Sequence, residues 1–310
     1  MQKLMIIMSA LVIFGCAHAE PTAKSPENFN IESIGEGIYV HHGAHLDIDE
    51  GYKGDICNAS FIVGSKGVAV VDTGGSLKVG QKLREAIRKV TPLPVLYVIN
   101  THVHPDHVYG NAAFLGDKPQ FVGHEKLANA MQTREEQYTK LNARLLGEDA
   151  KGSDLVKPTV GVKNTLTLDL GDRKLVLTAH PVAHTNTDLS LIESKANTLF
   201  TGDLLFIERT PVVETDIKGL IAELEKFKTA EVKQVVPGHG PVTKNWLGAI
   251  GDAQRYLNAL LNDIRASIKK GESMESAMSS AAASEKDKWV LFEVANRRNV
   301  NTIYPALEWE

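Results

Sequence analysis

The stretch that decides the fold is Thr101-His102-Val103-His104-Pro105-Asp106-His107. It places three imidazoles and one carboxylate directly after an apolar run at 94–99, which predicts a buried strand. Side chains two residues apart in an extended segment point to the same side, so His102 and His104 can bind one metal ion. Asp106 and His107 come after the bend that Pro105 imposes and can reach a second ion. The loop therefore predicts a centre for two metals.

Three further side chains with ligand chemistry follow predicted strands. His184 comes after the run 174–179, Asp203 after 198–201 and His239 after 233–236. Taken singly, each is more often structural than ligating. Because all three follow the carboxyl end of a strand, however, they can meet the histidine cluster at one edge of the fold, where loops converge. Glycines at 202, 238 and 240 let the backbone turn tightly enough to present them.

These motifs also carry a family resemblance. They are H-x-H-x-D-H at 102–107, His184-Thr185, Thr201-Gly202-Asp203 and Pro237-Gly238-His239-Gly240, with Val71-Asp72-Thr73-Gly74 upstream. Over about residues 31–245 the chain resembles the metallo-β-lactamase superfamily. The resemblance implies that His102, His104 and His184 bind the first metal. It also implies that Asp106, His107 and His239 bind the second, that Asp203 bridges both, and that Asp72 orients the ligand loop.

Finer details of the motifs point to a subgroup. The carboxylate at Asp203 is similar to glyoxalase II and differs from β-lactamases that place cysteine in the second site. The segment 184–188 departs from the glyoxalase-like His-Thr-Pro-Gly, and Tyr109 stands where glycine is common. The core at 103–108 and the exported context resemble the SoxH-related zinc metallohydrolases of periplasmic quinoprotein systems, which implies a functional link to a periplasmic quinoprotein.

Hydrophobic periodicity predicts the elements around the motifs. Strands are predicted at 37–40, 59–63, 68–71, 94–99, 165–170, 174–179, 189–192, 198–201 and 233–236. Helices are predicted from a Ser76 cap to Thr91, from His124 to about Leu146, over 217–227, and from Trp246 to a stop at Gly271. The order of strands, helix, strand and helix occurs twice, which favours an α/β fold in the form of a four-layered αββα sandwich. Periodicity alone would also fit other α/β folds.

The composition fits one large globular domain and disfavours nucleic acid as a partner. The chain has 310 residues, of which 43% are hydrophobic and 23% charged. The formal net charge is −4, and no run rich in lysine or arginine is present to neutralise phosphates.

The amino terminus reads as an export signal. Lys3 precedes an apolar run from Leu4 to Gly15, and Ala17-His18-Ala19 has the pattern of a cleavage site. The run is shorter than the about 20 residues that cross a bilayer, so we expect a periplasmic protein without an integral membrane span. Alternatively, Cys16 is the lipidated residue of a lipoprotein. After cleavage at Ala19, Cys57 would be the remaining cysteine, expected as a small core residue or, alternatively, as a free thiol near the site mouth.

These patterns divide the chain into four parts: a signal peptide at 1–19, a flexible lead-in at 20–30, the metallo-β-lactamase-fold domain at 31–270, and a C-terminal helical extension at 271–310. Substrate specificity is expected in the loops at 43–57, 132–160 and 205–215. Phe206, Arg209 and Tyr109 are candidates for a substrate wall, with packing as the alternative.

The predicted function is that of a periplasmic dinuclear zinc hydrolase acting on a small molecule. A metal-bound hydroxide would attack an ester, thioester, lactone or β-lactam carbonyl, with Asp106 as the catalytic residue that orients the water. Imidazole and carboxylate ligands suit zinc and also tolerate iron or manganese. One alternative is a mononuclear iron oxygenase like the persulfide dioxygenases, which uses the first site alone. Another is an accessory protein of a quinoprotein dehydrogenase system that binds the metals without turnover.

The remaining histidines have no such pattern. His41, His42 and His45 are expected on a solvated surface or, alternatively, in a mobile loop over the site, and His124 and His180 are expected to be structural.

Overall fold

The computed structural model describes residues 29–49 and 51–310. The predicted signal peptide, the possible lipidation site at Cys16 and most of the predicted lead-in lie outside these residues. Phe29 and Asn30, at the end of the lead-in, contact His41: the Phe29 ring stacks on the imidazole with 3.6 Å between centroids, and Nδ1 of His41 donates to the Asn30 carbonyl.

The amino-terminal half forms a seven-stranded sheet in simple chain order. The strands are β1 (Glu32–Gly35), β2 (Ile38–His41), β3 (Ala59–Val63), β4 (Val68–Val71), β5 (Val95–Ile99), β6 (Gln120–His124) and β7 (Val160–Val162). The pairs from β1 to β4 are antiparallel, and those from β4 to β7 are parallel. The parallel strands β5 and β6 therefore send their carboxyl ends to the same edge of the sheet.

The second sheet has five strands in the order β12-β11-β10-β9-β8. They are β8 (Thr165–Asp169), β9 (Lys174–Ala179), β10 (Leu189–Glu193), β11 (Thr198–Phe206) and β12 (Gln234–His239). All pairs are antiparallel except β11 with β12, which is parallel. Apolar residues of both sheets share one buried cluster, including Val71 and Ile99 from the first and Leu191 and Phe200 from the second. The two sheets thus pack face to face.

Helices cover both outer faces. They are α1 (Leu77–Val90), α2 (Pro105–Val108), α3 (Leu127–Leu146), α4 (Ile217–Phe227), α5 (Trp246–Lys270), α6 (Met274–Ser280) and α7 (Phe292–Leu307), with 3₁₀ segments at Asn111–Asp117, Gly147–Ala150 and Ala283–Lys288. Leu83 and Ile87 of α1 pack on Val70 and Val98 of the first sheet. Residues of α4, α5 and α7 share a cluster with Leu199 and Val235 of the second sheet. The predicted αββα sandwich is confirmed.

Local signals set the ends of α1 as predicted. The Ser76 hydroxyl accepts a hydrogen bond from the backbone N–H of Val79 at 3.2 Å, which satisfies one of the free donors at the helix start. Thr91 ends the helix in extended conformation because it precedes Pro92, which disfavours helical backbone at the residue before it.

Two predicted strands are longer than expected, and this changes where the ligands sit. β11 runs to Phe206 and β12 to His239, so Asp203 and His239 lie within strands instead of following them. The ladder between the two strands shifts register on both sides of Gly202, whose φ of 52° is in the left-handed region. This irregularity lets β11 continue while Asp203 faces the ligand loop.

None of the helices within the described residues is long and apolar enough to cross a membrane.

Candidate metal centre

The histidine loop spans the exit of β5 and the first turn of α2. His102 and His104 lie before the helix, with His104 extended at φ −65° and ψ 147°. Pro105 is the first residue of α2, a position that suits proline because its φ is already helical and its missing N–H is not needed. The predicted bend at Pro105 is thus the start of a helix, whose first turn carries Asp106 and His107. The His107 ring stays close to the His102 ring, at 4.2 Å between centroids.

Four side chains converge to form the first donor set. Nδ1 of His104 lies 3.0 Å from Nε2 of His102 and 3.1 Å from Nε2 of His184. Oδ2 of Asp203 lies 3.6 Å from the His102 nitrogen and 3.4 Å from the His184 nitrogen. Three imidazole nitrogens and one carboxylate oxygen therefore face a common point, which is the donor number and type of a tetrahedral zinc site.

A second donor set lies beside the first. Oδ2 of Asp106 is 3.4 Å from Nε2 of His107 and 3.5 Å from Nε2 of His239. Asp203 joins the two sets, because its Oδ1 is 3.4 Å from His107 Nε2 and its Oδ2 is 3.3 Å from His239 Nε2. All seven residues singled out in the sequence are brought together, in the two groups that the sequence predicts.

Two buried polar atoms of these sets lack a hydrogen-bond partner among the described residues and are suited to bind a metal. Nε2 of His107 and Oδ1 of Asp203 are buried, and neither has a hydrogen-bond partner in residues 29–49 and 51–310. Leaving such groups unsatisfied costs on the order of 1–3 kcal/mol each. A divalent cation would use both as ligands, and imidazoles with carboxylates are donors that zinc accepts.

Two imidazoles and the shared carboxylate of the site have pKa values that suit metal binding. Burial lowers the pKa of His102 well below its usual value and lowers that of His184 to about 4, so both imidazoles are neutral at pH 7. Burial alone would raise the pKa of Asp203, but His239 and His107 outweigh it and hold that pKa well below the usual range. Neutral imidazoles and ionised carboxylates are the forms that bind metals. Burial lowers the pKa of His104 and His107, but Glu214 beside His104, and Asp203 and Asp106 beside His107, outweigh it and raise both pKa values. A metal bound by these two imidazoles would displace a proton from each.

Asp72 holds the ligand loop in place from the end of β4. Its Oδ2 accepts hydrogen bonds from Nδ1 of His107 at 2.8 Å and from the Thr101 hydroxyl at 2.7 Å, and its Oδ1 accepts from the Thr101 backbone N–H at 2.8 Å. The bond to Nδ1 fixes the tautomer of His107 that leaves Nε2 free as a ligand. These contacts are those predicted for a residue that orients the loop.

Other outer nitrogens are fixed in the same way. Nδ1 of His184 donates to the Val212 carbonyl at 2.8 Å, and Nδ1 of His239 donates to the Ile56 carbonyl at 2.7 Å. His104 faces the first set with Nδ1, and its Nε2 bonds to Glu214. The sequence analysis missed Glu214, because a lone acidic residue 110 positions from its partner carries no local pattern.

A cavity of about 450 Å³ opens over the donors. His104, Asp106, His184, Asp203 and His239 reach its surface, whereas His102 and His107 lie behind. Its wall is formed mainly by residues of the three segments in which specificity was predicted. The prediction of a loop is wrong for 132–160, because the wall residues there, such as Tyr138 and Leu141, lie on α3. Phe206 is the last residue of β11, and Val212 follows that strand.

Three arginines line this cavity, and they differ in their partners. Arg298 forms two hydrogen bonds to Asp47, at 3.0 and 2.9 Å, and Arg134 bonds to Glu214 at 2.9 Å. Arg209 is 5% exposed, and in the described part of the chain it forms no ion pair with a carboxylate and its Nε has no hydrogen-bond partner. Its Nη1 lies 3.2 Å from Nδ1 of His239, but that nitrogen carries its proton towards Ile56 and cannot accept another. Arg209 is thus a buried cation at the cavity wall without an acceptor among these residues.

The last helix builds part of the same wall. Arg298 and Thr302 of α7 line the cavity. Asn299 accepts from the Val213 backbone N–H at 2.9 Å and donates to the Pro211 carbonyl at 2.7 Å. The segment predicted as a C-terminal helical extension therefore also holds the loop that carries Arg209 and Glu214.

The structure decides several alternatives that the sequence left open. Phe206 and Arg209 line the cavity, but Tyr109 is buried against α3 and does not. Cys57 is a buried core residue whose Sγ donates to the Asp106 carbonyl at 2.9 Å. The expectation of a solvated surface is wrong for His41, which is 2% exposed and bonded to Asp55.

Comparisons with known proteins agree with this geometry. Residues 52–239 match the family model described as the metallo-beta-lactamase superfamily. A stretch of 53 residues is 36% identical to a linear primary-alkylsulfatase of Pseudomonas sp. (strain ATCC 19151), and it covers 17% of this chain and 10% of that protein.

Solved structures with the same fold are also found. A double mutant of the sec-alkyl sulfatase PisA1 superposes with a TM-score of 0.70 at 15% identity over 89% of this chain, and a metallo-beta-lactamase from Pontibacter korlensis with 0.60 at 18% identity over 74%. The match covers 50% of the alkylsulfatase chain and 99% of the Pontibacter one. At these identities the likeness shows the fold alone.

Proposed function

We propose, from the premise that the chain belongs to the metallo-β-lactamase superfamily, that it is a metal-dependent hydrolase that uses two zinc ions to hydrolyse a small anionic substrate. His102, His104 and His184 would hold one ion, and Asp106, His107 and His239 the other. The observation that carries the proposal is the position of Asp203, whose two oxygens lie 3.3–3.6 Å from donors of both sets.

In the proposed hydrolysis, the metal pair and Asp106 would have different roles. The metal pair supplies Lewis acidity, which lowers the pKa of water and polarises the group under attack. Asp106 lines the cavity with its pKa below the usual range, because contacts with His107 and His239 outweigh the effect of burial. As an ionised carboxylate it accepts a hydrogen bond from the attacking water and orients it.

The guanidinium of Arg209 at the cavity wall, unpaired among the described residues, is the reason to propose an anionic substrate. Burying a guanidinium without an acceptor is costly, and a substrate carboxylate or sulfate at the cavity wall would remove that cost with charge-assisted hydrogen bonds. Among carbonyl substrates, we propose esters, thioesters, lactones and β-lactams that bear such a group.

A second candidate reaction is the hydrolysis of alkyl sulfates. It is favoured by the alkylsulfatases found in both comparisons. A sulfate ester carries its negative charge next to the bond that breaks, which suits a cavity that holds both the metal donors and Arg209. The match covers about half the length of the sec-alkyl sulfatase and a tenth of the linear primary-alkylsulfatase.

An activity screen of the zinc-replete protein tests both reactions. Esters, thioesters, lactones, β-lactams and alkyl sulfates are assayed beside the Asp106→Ala variant. We expect turnover of at least one class, lost in Asp106→Ala while its circular dichroism is unchanged.

Two results would contradict the proposal. Absence of turnover across the panel with both metals bound would favour the accessory protein. A single iron per chain, with oxygen consumption on a persulfide, would favour the oxygenase, although the complete second set argues against a mononuclear centre.

Export to the periplasm is also part of the proposal and rests on the sequence pattern of residues 1–19. Fractionation of cells expressing the full chain tests it, with a variant lacking residues 2–19 as control. The link to a periplasmic quinoprotein rests on the sequence resemblance and stays a prediction.

A further inference from the structure

A second group of catalytic residue types lies outside the metal centre. Nε2 of His180, just after β9, is 2.7 Å from the hydroxyl oxygen of Ser190 on β10. Nδ1 of the same imidazole is 2.8 Å from Oε2 of Glu223 on α4. A hydroxyl, an imidazole and a carboxylate joined in this order have the connectivity of a serine nucleophile with its base and the group that orients the base.

The strand pattern puts this group on the opposite face of the second sheet from the inter-sheet core. Leu189 and Leu191 pack between the two sheets. Ser190 alternates with them and so faces the side that α4 covers. The imidazole is held there by edge contact with Phe227, at 5.5 Å between ring centroids.

The carboxylate fixes the proton of His180. Burial raises the pKa of Glu223, but hydrogen bonds to His180 and Lys226 outweigh it and leave the pKa below its usual value. An ionised carboxylate only accepts, so Nδ1 of His180 donates to Glu223, and the tautomer with its proton on Nδ1 presents Nε2 to Ser190 as an acceptor. Lys226 holds the other carboxylate oxygen at 2.6 Å, which keeps Glu223 in position. This is the tautomer in which Nε2 can take the hydroxyl proton.

The group faces a cavity large enough for a small ligand. The cavity has about 260 Å³ and is lined by Ser190, His180 and Glu223, by apolar side chains such as Ile192 and Phe227, and by Lys226. Its apolar wall suits a short acyl chain.

We propose that Ser190, His180 and Glu223 form a second, metal-independent hydrolytic site for short-chain acyl esters. The Ser190 oxygen attacks the ester carbonyl carbon while its proton passes to Nε2 of His180. The ester C–O bond breaks, and the alcohol leaves with that proton. Water then attacks the acyl-serine, its proton passes to His180, and the acid leaves as Ser190 regains its hydrogen.

Labelling with an alkyl fluorophosphonate tests this site directly, because the serine oxygen displaces fluoride from phosphorus and the adduct is stable. The full chain is treated as zinc-loaded protein and again with a chelator, and the labelled residue is mapped by mass spectrometry. We expect one adduct, on Ser190, at the same rate in both samples, lost after denaturation in urea. Because the readout does not require metal, its failure and the failure of the metal-centre proposal are distinguishable.

Variants add a second readout. Ser190→Ala should abolish the adduct, and Glu223→Gln should slow its formation by about 100-fold, the scale of general-base assistance. Ser194→Ala removes another serine just beyond β10, whose hydroxyl accepts from the Lys174 backbone N–H, and should change nothing. An adduct on another residue, no adduct, equal labelling after denaturation, or an unchanged rate in Glu223→Gln would overturn the proposal. The mapping on the unaltered chain decides the matter even where Ser190→Ala does not fold.

Discussion

At the scale of single residues, each histidine donor is oriented by a hydrogen bond to its second ring nitrogen. Asp72 holds His107, the Val212 carbonyl holds His184, and Glu214 holds His104. Such outer partners set the tautomer and the ring orientation, and therefore decide which nitrogen faces the metal. The carboxylate that bonds directly to a histidine is Asp72 at the second set and Glu214 at the first, and Asp72 contacts the first set only through Thr101. We therefore expect the two sets to be weakened to different extents.

Asp72→Asn and Glu214→Gln form a matched pair that tests this separation. Each keeps the shape of the side chain and removes its charge. We expect Asp72→Asn to weaken zinc binding at the second set by about 10–100-fold, and Glu214→Gln to do so at the first set. Competition titration with a chromogenic chelator measures both affinities. An equal loss of zinc affinity at both sets in each variant would show that Asp72 and Glu214 do not act on one set each.

Arg209 is the cavity residue that we propose to recognise the negative charge of the substrate. Arg209→Met keeps most of the volume and removes the cation. We expect kcat/KM for an anionic substrate to fall about 10–100-fold, the equivalent of one charged hydrogen bond, while a neutral analogue is unaffected. Arg88→Met, on the exposed surface of α1, serves as control. An equal loss on both substrates would contradict a role in recognising charge.

The sequence predicted the seven side chains that the fold brings together as candidate donors, but few of the residues that hold them. The donors lie in short motifs after predicted strands, so residue type and spacing identify them. Glu214 and Arg209 act through contacts made by the folded loop after β11, which leave no local pattern. His41 was misjudged for the same reason, since its partner Asp55 follows in a loop whose course the sequence does not show.

At the scale of elements, the parallel pair β11 and β12 is the part of the fold that joins the two sets. The strands approach closely at Gly202 and Gly238, and a Cβ at Gly238 would lie 1.9 Å from Oδ1 of Asp203. Gly238 lies within β12 and is not among the glycines with positive φ, so the close approach of the Asp203 carboxylate, and not a turn, requires glycine at that position.

Gly238→Ala is expected to displace Asp203 and to abolish the binding of at least one zinc ion. Metal analysis of the variant measures this. Gly251→Ala is the control, since a Cβ there meets nothing within 4 Å, and in a helix it should stabilise the fold by about 0.5–1 kcal/mol. Full zinc content in Gly238→Ala would show that the strands can separate without cost.

Elements with strong periodicity were predicted and weak ones were missed. The strands 59–63, 68–71 and 174–179 match β3, β4 and β9, and α1 begins and ends at its predicted caps. The sequence analysis did not find β1, β6 and β7. β1 and β7 are short edge strands with little buried surface, and β6 was obscured because His124 was taken as the start of the following helix.

At the scale of the whole molecule, the metal centre lies where the two halves of the sandwich meet. The first sheet supplies the histidine loop, and the second supplies His184, Asp203 and His239. Ions bound between them would tie the sheets together, so metal binding and folding stability should be coupled.

Removal of the metals should therefore lower thermal stability. With zinc at 1,000 times its Kd, one site contributes about 4 kcal/mol, which for a domain of this size corresponds to a Tm change of roughly 10 °C. Calorimetry with and without a chelator measures the change, and added zinc should reverse it. A Tm that does not respond would mean that the donor sets are held without metal.

The metal content of the full chain, purified after loading with zinc, tests the central claim most directly. The account predicts two zinc ions per chain, falling to one or none in the Asp203→Asn variant while its fold is retained. One iron per chain, or two zinc ions that persist after the loss of the Asp203 carboxylate, would contradict it.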